Sequence, residues 1–184
     1  MSRTVIIIVA VVAVLGFYAA SVYNGLVRAN QGVDAQWAQV QTQYQRRFDL
    51  IPNLVASVQG IMKQEQTVFG ELASARAQSA GAQTPDAQAA AATQVETSLG
   101  RLLAIVENYP QLKSSENVQS LMAELAGTEN RISVERMRYN EMVRDYNVSV
   151  MTFPRSLLAG MFGFHPRTLF EADSAAQTAP AVQL

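Results

Sequence analysis

The sequence predicts an all-α protein, with an N-terminal transmembrane helix followed by an antiparallel up-and-down four-helix bundle of long helices. Three observations predict it. Thr4 to Val27 carries no charge between Arg3 and Arg28. Beyond that run, apolar residues recur at alternating steps of three and four, the period of one helix face. Glycine and proline are few, Gly 10 and Pro 6 in 184 residues, and mostly stand between the periodic stretches.

As a helix, the charge-free run of about 24 residues rises about 36 Å, enough to cross a hydrocarbon core of about 30 Å. Its Val, Ile, Leu and Phe side chains favour insertion and no charge opposes them. A cleaved secretory leader is the competing reading, with Ala19 and Ser21 as the small residues of a cleavage site. Tyr18, Tyr23 and the apolar residues beyond that site favour a retained signal-anchor, because aromatic side chains settle at membrane interfaces. The absence of cysteine excludes a lipoprotein leader.

The organisation that follows is a membrane anchor over residues 1–27, a helical domain over 28–171 and a disordered tail over 172–184. The tail, rich in small residues, has too little apolar content to order. A net charge of −1 offers no basic face for nucleic acid. With no cysteine, disulfides, Cys-ligated zinc, iron–sulfur clusters and thiol catalysis are all excluded.

After the anchor, Trp37, Val40, Tyr44 and Phe48 form the stripe of an amphipathic helix, unbroken back to Val22 except for Gly25 and Gly32. Pro52 then clashes with the carbonyl of Phe48 and pushes Ile51 away from helical angles. The helix either kinks there or turns back. Continuation of the stripe through Ile51, Leu54, Val58 and Ile61 argues for a kink. The comparable segment lengths that a turn would give argue for a turn, which is the reading preferred.

Met62, Phe69 and Leu72 carry the next stripe to Ala80-Gly81. Thr84-Pro85-Asp86 starts a helix, with Thr84 as N-cap, Pro85 at the first position and an acid in the first turn. Its stripe is Ala92, Val95, Leu99, Leu102, Val106 and Tyr109, stopped by Pro110. Ser114 or Ser115 caps the last long helix, whose seam runs Val118, Leu121, Leu125, Thr128, Ile132, Glu135, Tyr139, Val143, Tyr146, Val150 and Phe153. Pro154 closes it, and a short apolar segment follows.

Candidate chemistry is sparse. His165 is the only histidine, so a bundle di-metal site needing two Glu-x-x-His pairs cannot form. There is no His-Glu-x-x-His zinc motif and no glycine-rich phosphate loop. The polar residues Thr128 and Glu135 interrupt the last seam, where such residues often set register. Arg46 or Arg47 lies within reach of Glu129 or Glu135 across the helices. No catalytic, cofactor-binding or metal-binding residue is assigned, and no cofactor is expected.

Several stretches taken together carry a family likeness. They are Tyr23-Asn24-Gly25-Leu26-Val27, the run from Arg46 to Val55, the run from Glu107 to Lys113, Thr128-Glu129-Asn130, Tyr139-Asn140, Tyr146-Asn147 and Phe153-Pro154, with Gly163-Phe164 and Phe170-Glu171. Through them the chain resembles the LemA family of bacterial membrane proteins over nearly its whole length. The resemblance implies an N-terminal membrane helix and an antiparallel helical bundle, in a family that includes proteins of magnetosome membranes. It carries no catalytic residue onto this chain.

The function expected is that of a membrane-anchored, non-enzymatic interaction or scaffolding module, able to self-associate. Its partners would be membrane lipid through the N-terminal helix, a second copy, or other membrane proteins. The alternative is an enzyme or protease-accessory protein with a cryptic site built on Arg47, Glu129 and Glu135. Arg3 and a positive amino terminus favour the cytoplasmic side for that end. That would place the bundle on the periplasmic side of a bacterial inner membrane.

Overall fold

The computed structural model describes residues 2–62, 65–82 and 84–170, and every regular element among them is a helix. The helices are α1 (Arg3–Gln59), α2 (Gln66–Gly81), α3 (Pro85–Val106), α4 (Pro110–Lys113), α5 (Glu116–Met151) and α6 (Arg155–Met161). The expected tail over 172–184 lies outside the described residues.

The preferred turn at Pro52 does not occur: α1 is one helix of 57 residues with Pro52 inside it. The reason is the apolar phase. Ile51, Leu54, Val58 and Met62 are buried at 3% exposure or less, while Pro52 itself faces solvent. A prolyl residue in a helix interior costs about 3 kcal/mol. Burying Ile51, Leu54 and Val58 is worth about 1.5–3 kcal/mol each, so keeping those three on one helix face outweighs the proline. α1 ends instead at Gln59, and α2 begins at Gln66.

At the other helix ends the local signals act as their chemistry predicts. The Thr84 hydroxyl accepts a hydrogen bond from the Ala87 amide at 3.2 Å, and Pro85 opens α3. Pro110 starts the single turn of α4, and Glu116 opens α5 with an acid in its first turn. α5 ends at Met151, so Phe153, expected on the seam, falls off the helical phase and is 75% exposed. α6 closes through Gly163, at φ +78°. The Phe164 amide donates to the Ala159 carbonyl (2.9 Å) and the Gly163 amide to Gly160 (3.3 Å). This is a Schellman closure, and its left-handed position is the one glycine fills without strain.

The chain divides into two compact units, to both of which α1 and α5 contribute. Unit one holds residues 2–38 and 137–169. Its buried side chains are Val22, Leu26, Val33 and Trp37 of α1, Tyr139, Val143, Tyr146 and Val150 of α5, and Ala159 of α6. The Trp37 and Tyr139 rings lie 5.2 Å apart. A Cβ on Gly32 would come within 3.2 Å of the Met142 methyl, so the two helices approach closely there.

Unit two holds residues 39–136 and 170. One apolar core joins Ile51, Leu54 and Val58 of α1, Leu72 and Ala75 of α2, Val95, Leu99, Leu102 and Val106 of α3, Leu112 of α4, and Val118 and Leu125 of α5. Ser57 meets Asn117 (3.2 Å), Arg47 meets Glu129, and Tyr44 meets Arg136 (3.1 Å). Partner numbers on α5 rise as those on α1 fall.

The first 15 or so residues of α1 contrast with its remainder. Val5, Ile8, Val12, Leu15 and Phe17 are 42–81% exposed, although they are the most apolar residues of the chain. Among the described residues this is the one helix long and apolar enough to cross a membrane.

Candidate functional site

The buried face of α1 runs Val33, Trp37, Val40, Tyr44, Arg47, Ile51, Leu54, Val58, with steps alternating between four and three. Arg47 occupies a seam position that the sequence reading gave to Phe48, which is only half-buried. A strict 3.5-residue repeat carried forward from Val33 lands on position 47 and was the available signal. An arginine at a position filled elsewhere by Val, Ile and Leu is the most unusual feature of this core.

Arg47 is 1% exposed and its Nη2 donates to a carboxylate oxygen of Glu129 on α5. Its Nε and Nη1 are buried and make no hydrogen bond. Burial draws the guanidinium down from the usual arginine range, while the negative charges of Glu129 and Glu96 oppose that shift. Of the two candidates named for this reach, Arg47 rather than Arg46 makes it, and Glu129 rather than Glu135 receives it. Glu135 is half-buried beside that seam.

A second arginine stands nearby. Arg136 Nε donates to the Tyr44 hydroxyl at 3.1 Å, its Nη1 lies 3.7 Å from Glu96, and its guanidinium stacks 4.4 Å over the Phe170 ring. Its Nη2 is buried and without a hydrogen bond. Burial pushes the Tyr44 phenol above the ordinary tyrosine range, and the Arg136 charge partly restrains it. Thr128, fully buried, is satisfied within its own helix by donating to the Glu124 carbonyl at 2.9 Å. The cluster is therefore two cations, two carboxylates and a phenol.

What this cluster can do chemically is limited. It holds no histidine, and its carboxylates reach solvent. Of the grooves of unit two, one touches the cluster at Tyr44 and another lies apart from it. The first, of about 320 Å³, is lined by Gln41, Tyr44, Gln45, Arg76, Ser79 and Gln88. The second, open, lies along α2 and α3 under the exposed Glu71–Arg101 pair (3.0 Å). Neither contains a nucleophile, a base and an orienting group in one place. No group of three His, Asp or Glu side chains among the described residues stands close enough to hold a metal ion. His165 is exposed, just beyond α6.

Unit one has a polar clasp. The Asn147 side chain donates to the Arg167 carbonyl and accepts from the Arg167 amide, both at 2.8 Å. The Arg167 guanidinium then reaches Asp34 on α1 at 2.6 Å and lies 5.9 Å from the Tyr146 ring centre. Burial raises the Tyr146 phenol above its ordinary range, against the Arg167 charge. The clasp fastens the segment after α6 to both long helices.

Residues 36–184 match the LemA family. The chain belongs to the LemA family. The match covers most of the chain and begins after the apolar run. Among relatives, the chain is similar to magnetosome protein MamQ 2 of Paramagnetospirillum magneticum, 24% identical over 201 residues, covering 94% of this chain and 74% of that protein. Magnetosome protein MamQ of Magnetospirillum gryphiswaldense is 26% identical over 182 residues, covering 85% of this chain and 67% of that one.

Proposed function

We propose that this LemA-family protein is a membrane-tethered, non-enzymatic interaction or scaffolding module. Thr4–Val27 is its single membrane span, and the long helices beyond form an antiparallel up-and-down four-helix bundle. The observation that carries this reading is α1 itself. Its first part exposes apolar side chains, and the same helix, without a break, becomes the seam against which the other elements pack. The paired contacts of α1 and α5, whose residue numbers run in opposite senses, support the antiparallel arrangement.

A scaffolding role is supported by what the polar cluster is made of: ion pairs and one phenol, set in a seam rather than a cleft. It is also supported by the likeness to proteins named for the magnetosome. The partners proposed are other membrane-anchored helices, a second copy included. Met137 and Val148, both 56% exposed on α5, offer an apolar contact to them. The bundle is placed on the periplasmic side of the inner membrane, since Arg28 is the single basic residue between the span and Arg46.

Photo-crosslinking in intact membranes tests the reading, with a photoreactive residue placed in turn at Met137, Val148 and Gln94. Discrete products at the two apolar positions and none at Gln94 are expected. Crosslinks distributed equally over all three, or absent from all, contradict it.

A further inference from the structure

We propose that the segment from Phe153 to Phe162 is a second membrane contact, held at the headgroup boundary beside the point where α1 leaves the bilayer. The proposal rests on the reading of Thr4–Val27 as a span. Within unit one, α6 and the turn after it pack on the end of that run. The Tyr23 ring lies 5.1 Å from Phe162 and 5.9 Å from Phe164, both edge-on. A small cleft of about 140 Å³ is lined by Tyr18, Ser21 and Gly25 of α1, Ser149 of α5 and Arg155 of α6.

Those contacts fix a depth. Tyr18 is about 21 Å along the helix axis from Thr4, and Gly25 about 32 Å, at 1.5 Å per residue. A hydrocarbon core of about 30 Å starting near Thr4 therefore ends between Tyr18 and Gly25. Arg155, facing those same residues, is brought to the boundary itself.

The chemistry of the segment suits that level. Leu157 and Met161, four residues apart on α6, are 64% and 79% exposed and form an apolar stripe, and Phe153, 75% exposed, precedes the helix. Ala159 on the other side is buried at 1%. No acidic residue occurs from Tyr146 to Phe170, whereas Arg155 stands exposed at the cleft. Basic and apolar side chains together are what an anionic bilayer surface binds. α6, at seven residues, is too short to span. Three side chains also fall far short of the roughly 800 Å² per partner that a stable protein interface buries. The occupant assigned is therefore lipid, not a second copy.

The chain has no cysteine, so single cysteines introduced at Val12, Leu157, Met161 and Gln94 can each carry one nitroxide. The full-length protein is reconstituted in vesicles of phosphatidylglycerol and phosphatidylcholine. Collision of each label with oxygen, which partitions into lipid, is compared with collision with a water-soluble nickel chelate. The expected result is an oxygen-to-nickel ratio at Leu157 and Met161 several-fold above that at Gln94, with Val12 higher still. A lipid-like Val12 with Leu157 and Met161 matching Gln94 overturns this proposal and leaves the span intact. If Val12 also matches Gln94, the span reading falls and this one with it. Spectral broadening at Leu157 that disappears on dilution with unlabelled protein assigns the stripe to a second copy, which likewise overturns it.

Discussion

Arg47 is buried at 1% exposure while the Glu129 carboxylate it pairs with is 39% exposed, so one end of the ion pair is dry and the other wet. The two ends should answer differently to mutation. Glu129→Ala leaves an unpaired charge in the core and should cost about 3 kcal/mol, the low end for a buried pair because solvent already screens Glu129. Arg47→Met removes the charge and the two unbonded nitrogens at similar volume. It should be neutral, or stabilising by about 1–4 kcal/mol. Denaturant unfolding of the full-length protein in micelles, followed by circular dichroism, measures both. An Arg47→Met loss larger than that of Glu129→Ala would contradict this account. Both variants concern stability, and neither should remove a turnover.

Pro52 faces solvent inside a continuous helix. Pro52→Ala restores a hydrogen bond and relieves a clash worth about 3 kcal/mol, against about 0.4–1 kcal/mol lost because the unfolded chain becomes freer. A net gain of about 2 kcal/mol is expected in the same unfolding experiment. If the chain instead turned at Pro52, the substitution would destabilise it.

Much of this architecture is legible in the sequence, and the exceptions have physical causes. The start of α3 follows from Thr84 and Pro85, because caps and prolines act over a few residues. Its end at Val106 falls short of the expected Tyr109, which Pro110 holds in an extended conformation. Pro52 misleads because its effect is local, whereas the burial that overrides it is shared among Ile51, Leu54 and Val58. The reach of Arg47 to Glu129 is legible, but its place on the seam is missed because a neighbouring Phe48 satisfies the hydrophobic pattern better, although the heptad register favours position 47. The Asn147 clasp joins residues 20 apart in sequence to Asp34, and no spacing rule announces such a contact.

Tyr44 and Tyr146 should ionise above the ordinary phenol range, as burial raises both. With a raised folded-state value, the folded chain binds more protons than the unfolded one once pH passes about 10. Each phenol's contribution is thus complete below that pH and is lost as pH rises through the folded-state value. The stability difference between the parent and Tyr44→Phe should therefore shrink above about pH 10. Ultraviolet titration of tyrosinate should show part of the signal lagging until unfolding. A titration with all six tyrosines at ordinary values would contradict the burial of these two.

Asn147→Ala removes two hydrogen bonds to the Arg167 backbone, at about 0.5–1.5 kcal/mol each. Amide exchange should accelerate over residues 162–170 and stay unchanged in α3. Unchanged exchange over 162–170 would show that the clasp holds nothing in place.

The central claim, that α1 is at once the membrane span and the seam of the bundle, is tested most directly by alkaline extraction of native membranes with N-terminal sequencing of what remains. The account predicts that the protein stays in the membrane pellet with the Thr4–Val27 segment still attached. Release into the supernatant, or a mature chain beginning near Val22, would contradict it.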